Sequence, residues 1–439
     1  MNIFFISMGC AKNSVDSEYL LGRLLEAGHR ITEDADEAQV GMINTCAFIK
    51  DAVKENVDAI LDLEILKEQG KLQKIVVVGC LVNRYREELR NEIPTVDLWA
   101  EAEDWDSVLA FLGGEVSSPS PSSCAPRALL PENRPWSRYL KVGEGCDTFC
   151  SYCTIPMIRG RLRSVPLPRL VEEAVRLCDG GARELCLVGQ DLTVYGKDIY
   201  GTPQTRELLS ELSGAVPKGT WIRLLYLHPS RITHEFLDFL MGTDKILPYL
   251  DIPVQHIDDA ILLGMNRAGD GGHIRDVFRY ARLRDPLFAL RTTVMVGFPG
   301  ETEAQFGKVL DFLEEMEIDR VGAFVYSPEE GTKAASMPDP VPRRVKEERY
   351  NRLMELQADI SQERNARFVG QTLKVLIEEI DGDGSAWGRS YRDAPEVDGM
   401  VGIEGGERLR PGTFADVEIT GAGEHDLFGI EAEGAGEGA

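Results

Sequence analysis

The sequence lacks both a long apolar run and an excess of basic residues. No stretch of its 439 residues approaches the ~18 consecutive apolar residues of a membrane-spanning helix, so we expect no membrane partner. The opening MNIFFISMGCAKNS has no basic segment typical of a secretory signal, which favours a cytoplasmic protein. The 48 Lys and Arg are outnumbered by 73 Asp and Glu, and the formal net charge of -25 favours basic partners over nucleic acid.

Cysteine is more informative, because six of the nine cysteines form two groups of three. In a chain without a secretory signal, we expect reduced thiols that bind metal rather than a disulfide framework. The other three are assigned no role: Cys124 is an incidental thiol, and Cys178 and Cys186 are predicted core residues.

The first group follows three similar segments within residues 1–112. NIFFISMGC, VGMINTC and KIVVVGC are short β-rich runs that end at Cys10, Cys46 and Cys80. Helix-prone stretches follow the first two runs, so the pattern predicts βαβ units and a parallel sheet. The carboxyl ends of neighbouring parallel strands share one edge, where ligands bind. We therefore expect these cysteines to form a shared metal site rather than to be three separate core thiols.

The second group lies in GCDTFCSYCTIP, where Cys146, Cys150 and Cys153 are spaced C-x3-C-x2-C with no further cysteine or histidine nearby. A structural zinc site takes four protein ligands, and this loop offers three. A [4Fe–4S] cluster held by three thiolates keeps one iron open to a ligand with nitrogen and oxygen donors. S-adenosylmethionine (SAM) provides such donors through its amino and carboxylate groups. The spacing therefore favours an iron–sulfur cluster with SAM as cosubstrate over an incomplete zinc finger.

The order of the patterns predicts an α/β protein with three folded parts. Six strand-like runs with helical spacers follow residue 136 and indicate a partial (β/α)6 barrel, whose active site lies at the carboxyl ends of the strands. RRVKEERYNRLMELQADISQERNARFVGQ predicts one long helix, and the short β runs after residue 370 predict a small β-barrel. The expected boundaries are an N-terminal parallel-sheet domain at 1–114, a Ser- and Pro-rich linker at 115–135, a barrel at 136–366, a C-terminal module at 367–432 and a disordered tail at 433–439.

Candidate SAM contacts lie at the predicted ends of barrel strands. They are Gln190 and Asp191 after the second strand, Pro253 and Gln255 after the fourth, and Gly297, Gly300 and Glu301 after the fifth. Each has a plainer alternative, as a strand cap or a βα turn, and Thr302-x-x-Gln305 is a capping box that opens the next helix. His228 and His256 are expected to be hydrogen-bonded barrel histidines rather than ligand contacts.

The cysteine loop, with five further βα units after it, resembles the radical SAM superfamily. The contexts MGCAKNSVDSE, INTCAFI and VVGC resemble the N-terminal domain of the methylthiotransferases, and the terminal module is similar to a TRAM domain. The resemblance implies two [4Fe–4S] clusters and two uses of SAM. One SAM methylates a sulfur carried on the auxiliary cluster at Cys10, Cys46 and Cys80. The other yields a radical that takes a hydrogen from the target carbon, which then captures the methylthio group.

The resemblance is compatible with two branches of this family. One acts on adenosine in tRNA, and the other acts on the β-carbon of an aspartate of small-subunit ribosomal protein S12. The stretches KNSVDSE at 12–18 and GRSYRDAPEVDG at 388–399 resemble the ribosomal-protein branch. From Val369 onward, five Lys or Arg stand against sixteen Asp or Glu, a net of -11 that suits a basic protein better than RNA. Glu396 and Asp398 are candidates for substrate docking, with a purely turn-forming role as the alternative.

The resemblance also implies an electron donor such as flavodoxin or ferredoxin. A third possibility is a non-catalytic iron–sulfur protein that binds the ribosome. The two complete sets of three cysteines, together with the intact turns of the type that binds SAM, argue against it.

Overall fold

The computed structural model of the protein describes most of the chain, namely residues 1–113, 127–130, 133–267 and 270–432. The predicted incidental thiol Cys124 and the predicted tail at 433–439 lie outside the described residues. Within the described ranges, no helix is both long enough and apolar enough to span a membrane.

The N-terminal domain contains the predicted parallel sheet, with strand order β2-β1-β3-β4-β5. In β4, Ile75 and Val77 pack on one side, and Val76 and Val78 on the other, because helices cover both faces. The elements are β1 (Asn2–Ser7), α1 (Ala11–Glu26), β2 (Arg30–Thr32), a 3₁₀ turn (Ala35–Glu37), β3 (Val40–Thr45), α2 (Lys50–Glu68), β4 (Lys74–Gly79), α3 (Cys80–Glu92), β5 (Leu98–Ala100) and α4 (Trp105–Leu112).

The second domain is the predicted partial barrel. Its six long parallel strands form two sheets, β10-β9-β6 and β11-β12-β13, which a parallel bridge between Ile222 and Ile246 joins. The strands and the hairpin that frames the cysteine loop are β6 (Ser137–Lys141), β7 (Gly143–Glu144), β8 (Arg163–Ser164), β9 (Glu184–Val188), β10 (Trp221–Leu224), β11 (Tyr249–Asp251), β12 (Ala289–Val296) and β13 (Arg320–Val325). We call the carboxyl-terminal end of this barrel the mouth; it is formed by residues 189–191, 225–228, 252–256 and 297–301.

Helices surround the barrel strands. The predicted capping box is present, since Thr302 and Gln305 bond reciprocally at the start of α12, and the predicted long helix is α13. The helices are α5 (Ile155–Ile158), α6 (Leu167–Asp179), α7 (Lys197–Tyr200), α8 (Thr205–Ala215), α9 (His234–Gly242), α10 (Asp259–Gly264), α11 (Gly271–Arg284), α12 (Glu303–Met316) and α13 (Arg343–Ala366), with 3₁₀ turns at Leu192–Val194, Pro229–Arg231 and Ala334–Ser336.

The C-terminal module is a closed barrel with the strand order β14-β15-β16-β18-β17. The sequence predicted three of its strands, β14 (Thr372–Ile380), β16 (Val401–Glu404) and β17 (Phe414–Ala422). It missed β15 (Ala386–Ser390) and β18 (Leu427–Glu431). Both are short and contain glycine, and they become strands because each pairs with a neighbour on both sides.

This module covers the amino-terminal ends of the barrel strands, opposite the mouth. Its stretch 389–398 contacts residues at the beginnings of four strands: Arg389 pairs with Glu184, Tyr391 O accepts from Arg223, Asp393 pairs with Arg320, and Asp398 accepts from Tyr249. Parallel strands place all their carboxyl ends at the other end of the barrel. The module therefore closes one end of the barrel and leaves the mouth to the N-terminal domain.

Glu184 anchors the module through two arginines. Its carboxylate is fully buried and accepts from Arg223 at 2.7 Å and from Arg389 at 2.6 Å. Burial alone would raise the pKa of Glu184, but the guanidinium groups of Arg389 and Arg223 lower the pKa from its ordinary 4.5 to about 2. A depressed carboxyl pKa stabilises the fold above the ordinary value, and this contribution is lost as the pH falls from 4.5 towards 2.

We expect Glu184→Gln to lower the free energy of unfolding by about 3–5 kcal/mol, because it leaves the buried Arg223 without a carboxylate partner and Arg389 with Glu378 alone. Denaturant unfolding at neutral pH measures this loss. The matched control is Glu379→Gln, which removes a half-exposed partner of Arg134 and should cost about 0–1 kcal/mol. Equal stability of the two variants would contradict the anchoring role.

Candidate metal centres at the mouth of the barrel

The first cysteine group lies at one edge of the N-terminal sheet, as predicted from the strand order. Strand β3 lies between β1 and β4, and Cys10, Cys46 and Cys80 directly follow the carboxyl-terminal edge of these three strands. Gly9 has a φ of +108°, and an added Cβ there would lie 2.9 Å from Cys46 Cβ. Burial raises the pKa of Cys80 to about 12, with Arg159 opposing this and the Cys46 and Cys10 thiols adding to it.

Asn13 holds the three loops that carry these thiols. Its side-chain amide donates to Met8 O at 2.6 Å and to Thr45 O at 3.0 Å, in the segments that lead to Cys10 and Cys46. Its Oδ1 lies 4.0 Å from Cys80 Sγ. One buried amide on α1 therefore fixes the relative positions of all three loops, which is the rigid support that a metal centre requires.

The second cysteine group lies in the loop framed by β7 and β8. Gly145 opens this loop at a φ of +73°, and a Cβ there would lie 2.1 Å from Arg161 O, so only glycine fits. Within the loop, Cys153 N donates to Cys150 O at 3.0 Å, and Thr148 N lies 3.4 Å from Cys146 Sγ. Burial, with the neighbouring thiols, raises the pKa of Cys153 to about 12. A metal that binds thiolates must therefore displace protons here.

A single guanidinium connects the two groups. Arg159, at the end of α5, donates to Cys80 Sγ at 3.1 Å and to Asn13 Oδ1 at 2.6 Å in the N-terminal domain. It also donates to Asp16 at 2.7 Å and to Glu144 at 3.0 Å, and Glu144 lies two residues before Cys146. The guanidinium is buried, so both cysteine groups depend on the position of one side chain.

A buried charge cluster surrounds this connection. Carboxylate oxygens of Asp16, Glu103 and Glu144 lie within 4.8 Å of one another, a composition that also suits a cation. The Lys141 ammonium lies among them, paired with Asp16 and at 2.9 Å from Glu103 and 3.2 Å from Glu144. Lysine therefore supplies the positive charge that these carboxylates require.

Gln190 and Asp191 lie at the mouth, beside the second cysteine group. Gln190 Nε2 donates to Glu144 at 2.6 Å, while its Oε1 is buried and has no partner among the described residues. Asp191 accepts from Thr193 N at 3.0 Å and from Arg231 at 2.6 Å. Burial raises the pKa of Asp191, against the effect of Arg231. Gln190 Oε1 is thus available to bond a ligand, whereas the Asp191 carboxylate is already paired with Thr193 and Arg231.

Pro253 and Gln255 also lie at the mouth, where Arg267 links them to the cysteine loop. Arg267 donates to Pro253 O at 2.6 Å and lies 3.8 Å from Cys150 Sγ. Gln255 has a φ of +69°, which is rare for a residue with a side chain, and its buried Oε1 is unpaired within the described chain. Such backbone strain is common at functional sites, and Phe149, Tyr226 and Asn266 share it around the same mouth.

The Gly297-Phe298-Pro299-Gly300-Glu301 turn is engaged mainly with α13 and the segment before it. A Cβ at Gly297 would lie 2.3 Å from Lys346 Cγ, and Gly300 N donates to Asp339 O at 2.8 Å. Glu301 accepts from Arg349 at 2.7 Å. Packing accounts for Gly297 and Glu301, and a φ of +79° accounts for Gly300. These observations favour the plain turn, and a SAM contact here remains a prediction.

The two barrel histidines retain unpaired ring nitrogens. His228 Nδ1 bonds Ser230 at 2.9 Å and His256 Nδ1 accepts from Asp258 N at 2.9 Å, while both buried Nε2 atoms lack a hydrogen-bond partner among the described residues. His256 Nε2 lies 3.7 Å from a Glu301 carboxylate oxygen. Burial lowers the pKa of His256 to about 4, so this ring is neutral at pH 7. With Gln190 and Gln255, these atoms provide the neutral donors and acceptors that a polar cosubstrate at the mouth requires.

The predicted docking residues lie in different environments. Glu396 is exposed on the C-terminal module, but the Asp398 side chain is only 2% exposed and accepts from Tyr249 at 2.7 Å and Ala394 N at 2.9 Å. Asp398 also pairs with Arg291 at 3.3 Å. A buried, fully paired carboxylate cannot contact a substrate, so the geometry favours the turn-forming alternative for Asp398 and leaves docking by Glu396 as a prediction.

Sequence reasoning missed the basic residues of the site, Lys12, Lys141, Arg159 and Arg267. Arg159 lies in TIPMIRG, directly after a short helix and before a glycine, but it is 79 residues from its partner Cys80. The local sequence gives no indication of such a pairing. One feature could have indicated Lys12, because it is a charged residue on the otherwise core-facing side of α1.

Three family models match the chain, and together they cover its three folded parts. Residues 2–101 match uncharacterized protein family UPF0004, residues 140–313 match the radical SAM superfamily, and residues 369–430 match the TRAM domain.

Curated relatives match over almost the full length. A ribosomal protein uS12 methylthiotransferase RimO of Aquifex aeolicus is 42% identical over 435 residues, covering 99% of this chain and 98% of the relative. The enzyme of the same name from Geobacter sulfurreducens is 42% identical over 438 residues, covering 97% and 98%.

Solved structures share the fold at low identity. The chain is similar to the radical S-adenosylmethionine methyltransferase TsrM from Kitasatospora setae, with a TM-score of 0.55, 14% identity and 74% of each chain covered. It is also similar to the cobalamin-dependent S-adenosylmethionine radical enzyme OxsB, with a TM-score of 0.51, 10% identity, and 81% and 56% of the two chains covered.

The two separate cysteine groups predict two separable clusters. Protein reconstituted anaerobically with iron and sulfide should hold about eight irons, and replacing Cys146, Cys150 and Cys153 with Ala should leave about half of them. Metal analysis measures the iron content of the wild type and of the variant, and electron paramagnetic resonance identifies the clusters. The control is Cys178→Ala, which changes a buried thiol on α6 and should leave the iron content unchanged. Stoichiometric zinc without iron would contradict the assignment.

The Arg159 contacts predict an effect on the cluster at Cys10, Cys46 and Cys80. A cationic donor to a ligating sulfur stabilises the more negative, reduced state, so Arg159→Met should lower the reduction potential of this cluster, and Arg159→Lys should lower it less. Potentiometric titration followed by electron paramagnetic resonance gives the values. Arg161→Met, an exposed neighbour paired with Asp147, should leave the potential unchanged. A shift of the same size in this control would rule out the specific contact.

Proposed function

We propose that the chain, which belongs to the family of ribosomal protein uS12 methylthiotransferases, transfers a methylthio group to the β-carbon of an aspartate of ribosomal protein uS12. It is a radical SAM enzyme whose cofactors are S-adenosylmethionine and two [4Fe–4S] clusters. The observation that carries the proposal is the presence of two three-cysteine groups, one on each domain, joined by the buried Arg159. Three protein ligands in each group leave one iron free for an exogenous ligand.

When bound, the clusters and SAM supply the radical that breaks an unactivated C–H bond and the sulfur that is transferred. The residues of the chain position these groups and exclude water. Asn13 and Arg159 fix the thiols of the N-terminal domain relative to the barrel, and the unpaired atoms of Gln190 and Gln255 are available to bind SAM at the mouth. The C-terminal module covers the opposite end of the barrel.

The surface charge of the C-terminal module supports a basic protein substrate. Two of the five basic residues from Val369 onward, Arg389 and Arg392, are buried in ion pairs with barrel carboxylates. Its exposed side chains are therefore mainly acidic: Glu379, Asp381, Asp383, Glu396, Glu404, Glu407, Glu418, Glu424 and Glu431. Such a surface attracts basic ribosomal proteins and repels a phosphate backbone, with both effects weakened by salt.

The alternative substrate is adenosine in tRNA, which the same chemistry could modify. The acidic module disfavours it, because RNA binding needs a basic surface. A non-catalytic role on the ribosome is less favoured still, because the neutral polar groups of the mouth lie beside the second cysteine group, where a cosubstrate would bind.

The reaction consumes electrons, and we propose a small carrier such as flavodoxin or ferredoxin as the donor. Because the proposed substrate is a ribosomal protein, we place the activity in the cytoplasm. We also propose that the functional units follow the boundaries 1–114, 136–366 and 367–432, with 115–135 as the connection.

The direct test is to offer the reconstituted enzyme ribosomal protein uS12 and isopentenylated tRNA in one reaction with SAM and a reductant. Mass spectrometry should find one methylthio group in place of hydrogen on an aspartate of uS12 and none on the tRNA. The variant without Cys10, Cys46 and Cys80 is the control, and it should still cleave SAM without transferring sulfur. Modification of the tRNA alone would refute the choice of substrate and leave the radical chemistry standing.

A further inference from the structure

Lys12 is a buried cation at the mouth without an acidic partner. It lies two residues after Cys10 on α1, and its residue surface is 9% exposed. Within the described ranges, no carboxylate oxygen lies within 4.0 Å of its ammonium, and the contact that the structure gives it is the face of Tyr226, at 3.9 Å from Nζ to the ring centroid. A buried ammonium is costly without a negative partner, and an aromatic face compensates for only part of that cost.

Lys12 differs in this respect from its polar neighbours on α1. The same stretch contains four more buried polar residues, and each has a defined partner inside the protein. Asn13 holds the cysteine loops and Asp16 pairs with Lys141 and Arg159. Ser17 bonds Ser7 at 2.8 Å, and Glu18 accepts from Arg127 and Arg138. Structural demands therefore account for these four residues. Lys12 has the Tyr226 contact and the longer-range attraction of Cys10 and Glu144, but no carboxylate within bonding distance among the described residues.

Lys12 lies where the first cysteine group meets the barrel mouth. Its helix α1 begins directly after Cys10, and Tyr226 belongs to the mouth shortly after β10. Tyr226 is held in place on both sides, because its N donates to Asp251 at 3.0 Å and its O accepts from Leu192 N at 3.1 Å. The ammonium therefore lies over the ring of a residue whose backbone is held in place, at the point where the N-terminal domain meets the barrel.

We propose that Lys12 binds the side-chain carboxylate of the target aspartate and thereby selects an acidic residue and positions its β-carbon at the mouth. This inference rests on the proposed function, since it names the recognition element for that substrate. A carboxylate supplies the missing negative charge, and a charge-assisted hydrogen bond to it is both short and directional. The β-carbon is bonded to the carboxylate carbon, so fixing the carboxylate restricts the carbon that reacts.

Lys12→Met tests the proposal because methionine keeps the length of the side chain and removes its charge. The probes are two synthetic peptides of the uS12 segment that is modified by the wild-type enzyme, one with the target aspartate and one with asparagine in its place. The wild-type holoenzyme should bind the aspartate peptide about 10- to 100-fold more tightly than the asparagine peptide. Lys12→Met should bind both peptides with affinities within about threefold of each other.

Two further readouts separate recognition from a structural role. Lys12→Met should keep the iron content and the substrate-free cleavage of SAM of the wild type, because Lys12 contributes no ligand to either cluster. Lys12→Arg retains the charge and should recover part of the preference for aspartate. Lys218→Met, on an exposed loop before β10, is the matched control and should retain the full preference.

The possible results separate aspartate recognition by Lys12 from a structural role and from a failure of the proposed function. A variant Lys12→Met that still prefers the aspartate peptide as strongly as the wild type does overturns the proposal. Parallel loss of iron and SAM cleavage in that variant also overturns it, in favour of a role in holding the auxiliary site. If the wild-type enzyme modifies tRNA and not uS12, the proposed function fails first, and that result is distinguishable because it needs no Lys12 variant.

Discussion

The buried guanidinium of Arg159 is the interaction on which the active-site arrangement depends. It belongs to the cysteine loop of the barrel, yet most of its hydrogen bonds reach into the N-terminal domain, to Cys80, Asn13 and Asp16. Arginine suits this position because its planar fork offers five donors in a fixed geometry and stays charged when buried. Two metal centres that must cooperate on one substrate carbon need a fixed separation, and this side chain provides a rigid connection between them.

The same rule, that buried charge must be paired, organises the opposite end of the barrel. Glu184 and Asp319 lie at the amino-terminal strand ends and hold Arg389 and Arg392 of the C-terminal module. Pairing these arginines internally fixes the module to the barrel and removes their charge from its surface. One arrangement therefore gives both the stability of the domain contact and the acidic exterior that suits a basic protein.

Within the described residues, buried polar atoms without a hydrogen-bond partner occur at both ends of the barrel, including those of Arg320 and Arg392 at the module, and the mouth has a set of its own. The unpaired atoms of Gln190, Gln255, His228 and His256 and the ammonium of Lys12 collect where the two domains meet. Unsatisfied buried groups lower stability, and proteins retain them where a ligand completes the pairing. The polar groups suit a cosubstrate, and the single cation suits an acidic side chain.

Strand patterns and cysteine spacing determined the fold class and both cysteine groups, because these depend on local pattern and on the shared edge of parallel strands. The charged amphipathic segment that became α13 determined the long helix. Tertiary structure decided the rest. It buried Asp398 against Arg291 and packed Gly297 against Lys346, although the sequence had suggested substrate or cofactor contacts for both. It also paired Asp16 with Arg159, 143 residues away, and left Lys12 without an acidic partner. The physical reason is that these polar side chains meet their partners only when separate domains pack together. The partners are far apart along the chain, so no local sequence pattern indicates which residues will pair.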